Sequence, residues 1–356
     1  MLDSIARLDA PEVFALPYQR ATFVGGGVRA EGEASVAVTR SSVLIRFKPD
    51  AELSVPKAAY GESNGSVTTA AWTAEHVNHA GTATTGEILF GTLAVRVDAV
   101  PSADAVAATR LVIAGDAWHG SGRVGAGQVL IVPLSIDVTS HHDRRLALAV
   151  DAYLDQATIE TMGRACSFVA GIDVEVLRVE HYDRSGQLLD VEHRRGFRRV
   201  GRGTHCPFTG ISDEDRMRAW AALVDAFPRL LADGVPIDMI VDQISAHNQV
   251  AQIHVSAALL LLATVTAAYP RTFRQFGTDL HLGLNDDDVA RFESVRAELL
   301  DSGFFHAPGY ETGRPQRDIK FLRDLAHSTV LRLCGYTGPF YGAERFVVRE
   351  LTAAPA

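Results

Sequence analysis

Cysteine, methionine and tryptophan are scarce in this 356-residue chain, with three, four and three copies. The cysteines, Cys166, Cys206 and Cys334, are odd in number, far apart and in no metal-ligand spacing. That excludes a disulfide framework and fits a reducing cytosol. Net positive charge is lacking as well. A formal charge of −9 argues against non-specific coating of nucleic acid, which depends on neutralising phosphates with Lys and Arg. Also missing is an apolar run long enough to cross a bilayer. The longest, Val255 to Tyr269, falls short of the roughly 20 residues a span needs, and Gln252 and His254 interrupt its extension. It reads as a buried core helix. Met1-Leu2-Asp3-Ser4-Ile5 lacks the basic-then-apolar order of a signal peptide, so the expected location is cytoplasmic with no membrane partner.

What remains is an ordinary globular composition, 47% hydrophobic and 22% charged. The length favours two domains over one core. From about Glu12 to Ser140, β-branched runs such as Val36-Ala37-Val38, Ser42 to Phe47, Leu93 to Val97, Arg110 to Ile113 and Val129 to Val132 alternate with turn clusters. Without interleaved helices they predict a sandwich or a curled antiparallel sheet. Apolar residues at helical spacing from Arg144 to Val169 predict an inserted helix. A hairpin follows, Asp173 to Tyr182 and Leu188 to Arg194 about a turn at Asp183-Arg184-Ser185-Gly186. Beyond Gly210 the pattern is helical, with capping signals at Ser212-Asp213-Glu214-Asp215 and Asn285-Asp286-Asp287-Asp288. The expected fold is α+β. A β-rich, sandwich-like domain spans 1–208, with an inserted helix near 143–170, and an all-α bundle spans 209–356.

Three motif matches lack their structural context. Gly120-Ser121-Gly122-Arg123-Val124-Gly125 fits the dinucleotide fingerprint, but Gln128 to Leu134 after it is strand-like, so it reads as a flexible turn. Gly61-Glu62-Ser63-Asn64-Gly65 fits a nucleophile elbow, but Asn64-Gly65 is a hairpin turn pair and no central strand leads in. His76 and His79, and His141-His142-Asp143, do not converge locally on a metal, because residues one or three apart on a strand face opposite sides. No metal and no cofactor is expected.

Arg194, Arg195, Arg198, Arg199 and Arg202 form the clearest positive patch. Guanidinium forks bind phosphate bidentately, so RNA or a nucleotide is one reading. A charged edge strand, or one that meets acidic residues of the helices, is the other.

Chemistry of a particular kind is suggested only near the C-terminus. Phe304-Phe305-His306 follows a helix, the closing helix Ile319 to Leu333 carries Arg323 and His327 one turn apart, and Gly335-Tyr336-Thr337-Gly338-Pro339-Phe340 ends it. Metal-free RNA cleavage needs a base, an acid and a cation for the phosphate, roles that suit histidine and arginine. With the long apolar helix Gln249 to Tyr269, these segments resemble the HEPN-type helical domains of bacterial phage-defence and abortive-infection proteins. The resemblance covers about Ser212 to Tyr341. It implies a helical bundle, a role in phage defence or stress response, metal-independent RNA cleavage or RNA binding, and a homodimer. The family pattern is an arginine followed by histidine after four to six intervening residues. His306 falls at the histidine, but Leu299, Leu300 or Asp301 stands at the arginine. Arg296 and the Arg194 to Arg202 cluster are the substitute cations, and Arg323 with His327 is a second pair with three intervening residues. The competing reading is a non-enzymatic sensor or interaction protein, whose β domain binds a ligand and whose helices mediate assembly.

Overall fold

The computed structural model describes residues 1–8, 14–39, 42–55, 65–83, 86–92, 94–97, 101–115, 118–134, 145–172, 174–194, 206–250, 262, 286–301, 314–344 and 346–351. After a short helix α1 (Leu2–Ala6), six antiparallel strands follow: β1 (Phe14–Gly25), β2 (Val28–Thr39), β3 (Ser42–Pro49), β4 (Gly65–Thr69), β5 (Trp72–Thr82) and β6 (Ile88–Thr92). They run in the order β4-β1-β2-β3-β6-β5, and pairing of β4 with β5 closes a barrel. Gly26 and Gly27, at φ 58° and 77°, supply the two left-handed residues of the tight β1–β2 turn. Alternate residues point inward, so Phe23, Val36, Ile45, Phe47, Val67, Trp72 and Phe90 pack together. A barrel this narrow is filled by its own side chains.

Seven further antiparallel strands extend the sheet from the barrel: β7 (Ala94–Val97), β8 (Ala108–Ala114), β9 (Gly120–Val124), β10 (Gly127–Leu134), β11 (Arg145–Val150), β12 (Glu175–Tyr182) and β13 (Leu188–Arg194). β5 hands over to β7, and the order continues β13-β12-β8-β11-β10-β9. Every residue of β8 and β11 is buried, because the extension is covered on both faces. Ala6 of α1 packs on Val132, Ala147 and Ala149 of one face, and Ile5 meets Ala108 and Tyr182. The other face carries Leu111, Ile113, Leu146, Leu148 and Val179 into the large core beneath the remaining helices.

Those helices are α2 (Gln156–Ala170), α3 (Asp213–Ala232), α4 (Ile237–Val250), α5 (Asp286–Asp301) and α6 (Arg314–Leu333), and a hairpin of β14 (Gly338–Gly342) and β15 (Val347–Leu351) follows. Asp155 caps α2 by accepting from the Thr158 amide at 2.8 Å, and Gly171 ends it at φ 67°. Ser212 caps α3 through the Asp215 amide at 3.1 Å, where the sequence placed a cap. Among the described residues no helix is long and apolar enough to cross a membrane.

The architecture corrects the α+β expectation of a sandwich followed by an all-α bundle. The β part is a closed six-stranded barrel with a seven-stranded extension, and the helices after residue 209 form no bundle of their own. Trp220, Leu223 and Phe227 of α3 share one core with Leu111 and Ile113 of β8 and with Leu325 and Val330 of α6. These helices bury their apolar faces on a sheet, a partner that helical periodicity cannot specify. The Gly335 to Phe340 segment leads into strand β14 rather than ending a bundle.

Two local expectations also change. The helix expected from Arg144 begins only at Gln156, since residues 145–150 form β11. Alternating Leu and Ala in Leu146-Ala147-Leu148-Ala149 suits a strand buried on both sides, with the small residues under α1. Gly120 to Gly125, read as a flexible turn, is mostly strand β9. A Cβ at Gly120 would stand 3.1 Å from the Met217 sulfur, and one at Gly122 would stand 2.9 Å from its methyl carbon. Both glycines let α3 lie close on the sheet.

Candidate functional site

The residues singled out for chemistry fall into three groups. His306, Arg195, Arg198, Arg199 and Arg202 lie outside the described residues, and Arg296 lies on α5 with its side chain likewise outside them. Arg194 ends β13, where its Nε donates to Glu192 at 2.6 Å and its Nη2 to Gln156 Oε1 at 2.6 Å. It serves a structural network that joins β13 to the start of α2. Arg323 and His327 lie on α6 and are each 2% exposed.

Two polar centres emerge, and each contains residues that the sequence reading passed over. The first lies along β12 and β13. His181 Nδ1 is 2.5 Å from Asp190 Oδ1, and Arg96 Nη1 on β7 donates to the other Asp190 oxygen at 2.8 Å. Arg96 also pairs with Glu192. Tyr153 stacks on His181 at 5.3 Å between ring centroids. On the opposite face Glu180 receives Arg110 Nη1 at 2.9 Å and the Tyr182 hydroxyl at 2.6 Å, with Arg178 Nε 2.5 Å away. Arg110 Nη2 donates to the Leu8 carbonyl beneath α1. The signal was present in the alternation Arg178-Val179-Glu180 against Asp190-Val191-Glu192, where charges recur at strand period on arms that must face a core.

The second centre lies where α4 meets α6. The i, i+4 spacing places Arg323 and His327 on one side of α6, and His247 near the end of α4 comes in from across the interface. Arg323 Nη2 and His247 Nε2 are 3.2 Å apart, and Phe168 of α2 meets the His327 ring edge-on at 5.4 Å. His247 was not foreseen; its only sequence mark is a histidine in the last turn of an apolar helix. Arg323 Nε and Nη1 and His327 Nε2 are buried and have no hydrogen-bond partner among the described residues. The adjacent Asp324 is committed elsewhere. Its two oxygens accept the Ala343 and Glu344 amides, at 2.8 and 3.1 Å, and so tie α6 to the β14–β15 turn.

Burial governs the electrostatics. It lowers the Arg323 guanidinium to about 10, with Asp324 pulling the other way. Burial, reinforced by Arg323 and His247, drives the His327 imidazole down to about 3. His193 on β13 also falls to about 3, from burial and the nearby Arg178 charge. Both histidines are therefore neutral in the folded protein and bind a proton on unfolding below about pH 6.5. With more protons on the unfolded chain, stability is present above that pH and is lost as pH falls through the 6.5-to-3 window. The expected slope is up to about 1.4 kcal/mol per pH unit per histidine. Asp324, whose carboxyl is raised by burial, acts oppositely nearer the carboxylate range. Urea titrations at pH 7 and pH 5 should show the loss, and His327→Gln should flatten it; equal stability at both pH values would contradict these assignments.

A neutral, solvent-excluded imidazole beside a buried arginine can hold a ligand by hydrogen bonds, but it is not poised to exchange protons near neutral pH. Among the described residues no group of three or more His, Cys, Asp or Glu side chains could hold a metal ion. Comparison with known proteins finds no matching family model, no similar curated protein and no similar solved structure.

Proposed function

We propose that this protein is a non-enzymatic sensor or interaction protein, in which ligand binding at the helix-covered side of the sheet is the task and the helices mediate assembly. The observation that carries this reading is the burial of Arg323 and His327, each 2% exposed, with His327 held neutral. General acid–base catalysis near neutral pH needs a group that titrates near the working pH, and His327 does not. The engagement of Arg194 by Glu192 and Gln156 further supports it, since that arginine is not presented as a free phosphate fork.

The competing reading is metal-independent RNA cleavage with His306 as base or acid. Incubation of RNA at neutral pH with chelator, using wild type and His306→Ala, separates the two. Background-level cleavage by both is the expected result. Cleavage by wild type that His306→Ala abolishes would overturn the binding reading.

A further inference from the structure

Among the described residues, several arginines that are buried or partly withdrawn from solvent are compensated by carboxylates. Arg110 meets Glu180 and the Leu8 carbonyl, Arg96 meets Asp190 and Glu192, and Arg291 of α5 meets Asp318 and Glu344. Arg323 departs from this rule. A guanidinium has five N–H donors in a flat fork, and here one points to His247 Nε2 while Nε and Nη1 have no acceptor among the described residues. At least one unfilled donor therefore remains on each edge of the fork. The adjacent carboxylate, Asp324, spends its oxygens on the backbone amides of Ala343 and Glu344. One turn along α6, His327 Nε2 is also buried and unfilled. Buried donors without acceptors are costly, most of all on a charged group, so such a cluster calls for an acceptor from outside it.

We propose that the Arg323–His327–His247 centre binds a tetrahedral oxyanion of the phosphate class. Arg323 supplies the charge and two or more hydrogen bonds. His327 in its Nε2–H tautomer supplies another, and His247, accepting from Arg323 Nη2, fixes the plane of the fork. Three separately placed unfilled nitrogens suit an ion with four acceptor oxygens better than a planar carboxylate with two. The same chemistry is offered by free phosphate or by the phosphate of a nucleotide. The proposal deepens the binding reading above and rests on it only in requiring no turnover.

The test is calorimetric titration of the full chain with inorganic phosphate, acetate and adenosine monophosphate, at matched ionic strength, for wild type and Arg323→Met. Wild type should bind phosphate saturably and acetate more weakly. Arg323→Met should bind phosphate roughly tenfold to a hundredfold more weakly, the loss expected for charged hydrogen bonds. That variant should fold, with a melting temperature in phosphate-free buffer no lower than wild type, because it removes an unpaired buried charge. Should it not fold, Arg323→Lys, which keeps the charge but loses the fork, must show the weakened binding instead. Tighter binding of the nucleotide than of phosphate assigns the source to nucleotides; the reverse assigns it to free phosphate. No saturable phosphate binding by wild type, or undiminished binding by a folded Arg323 variant, overturns the site. Either failure leaves the non-enzymatic reading untouched, whereas His306-dependent cleavage would overturn that reading even if phosphate binds.

Discussion

Glu180→Ala should destabilise the protein by about 3–5 kcal/mol, the range for removing one partner of a buried ion pair. Glu180 is 1% exposed and Arg110 is fully buried. The mutation strands the Arg110 guanidinium, which keeps the Leu8 carbonyl and the Tyr182 hydroxyl but no carboxylate among its described partners, and it removes the acceptor of the Tyr182 hydroxyl. Arg178 loses its partner in the same step. The damage comes from the charge left behind rather than from the worth of the pair, so the double variant Arg110→Met/Glu180→Leu should recover most of it. Denaturant titration reads both, as a shift of midpoint at constant slope. A loss below about 1 kcal/mol for Glu180→Ala would mean that water reaches the guanidinium and that α1 does not seal this face.

Phe90→Ala should remove about 3–5 kcal/mol as well, through a cavity in the barrel. The Phe90 ring stacks on Phe23 at 5.0 Å and tilts against Phe47 at 6.4 Å, all three are buried, and the His79 ring meets Phe90 edge-on at 6.4 Å. A six-stranded barrel closes on its own backbone, so its wall cannot collapse far into the void. Tryptophan provides the local readout. Trp72 lies in the barrel core, while Trp118 and Trp220 lie in the core under the helices. With Trp118 and Trp220 replaced by Phe, Trp72 fluorescence follows the barrel alone. If barrel and extension unfold as one unit, fluorescence and far-ultraviolet circular dichroism give coincident transitions in wild type and variant. If Phe90→Ala shifts only the fluorescence transition, the barrel unfolds independently.

Much of the local structure was legible because it depends on local rules. The β-branched runs that became β2, β3, β8 and β10 carry their own preference for the pleated sheet. The β12–β13 hairpin was readable from its turn, where Asp183 Oδ1 accepts the Ser185 and Gln187 amides and Gly186 adopts φ 81°. The α3 start at Ser212 was readable from its capping residues. By contrast, Leu146 to Val150 fits a helix as well as a strand on periodicity alone, and only its neighbours β8 and β10 decide the matter.

The candidate centre divides in the same way. The sequence by itself placed Arg323 and His327 on one side of a helix, since a 3.6-residue repeat does that wherever the helix lies. It also carried the strand segments, their turns, the capped start of α3 and the lack of a long apolar span. Closure of the barrel by pairing of β4 with β1, the docking of the late helices on a sheet, and the approach of His247 to Arg323 were decided only by the tertiary structure. Each joins residues far apart in the chain, and the energy that selects them is burial against a particular surface. Whether an arginine and a histidine meet solvent or the core is a property of what covers them, and here His247 of α4 meets Arg323 and Phe168 of α2 meets His327.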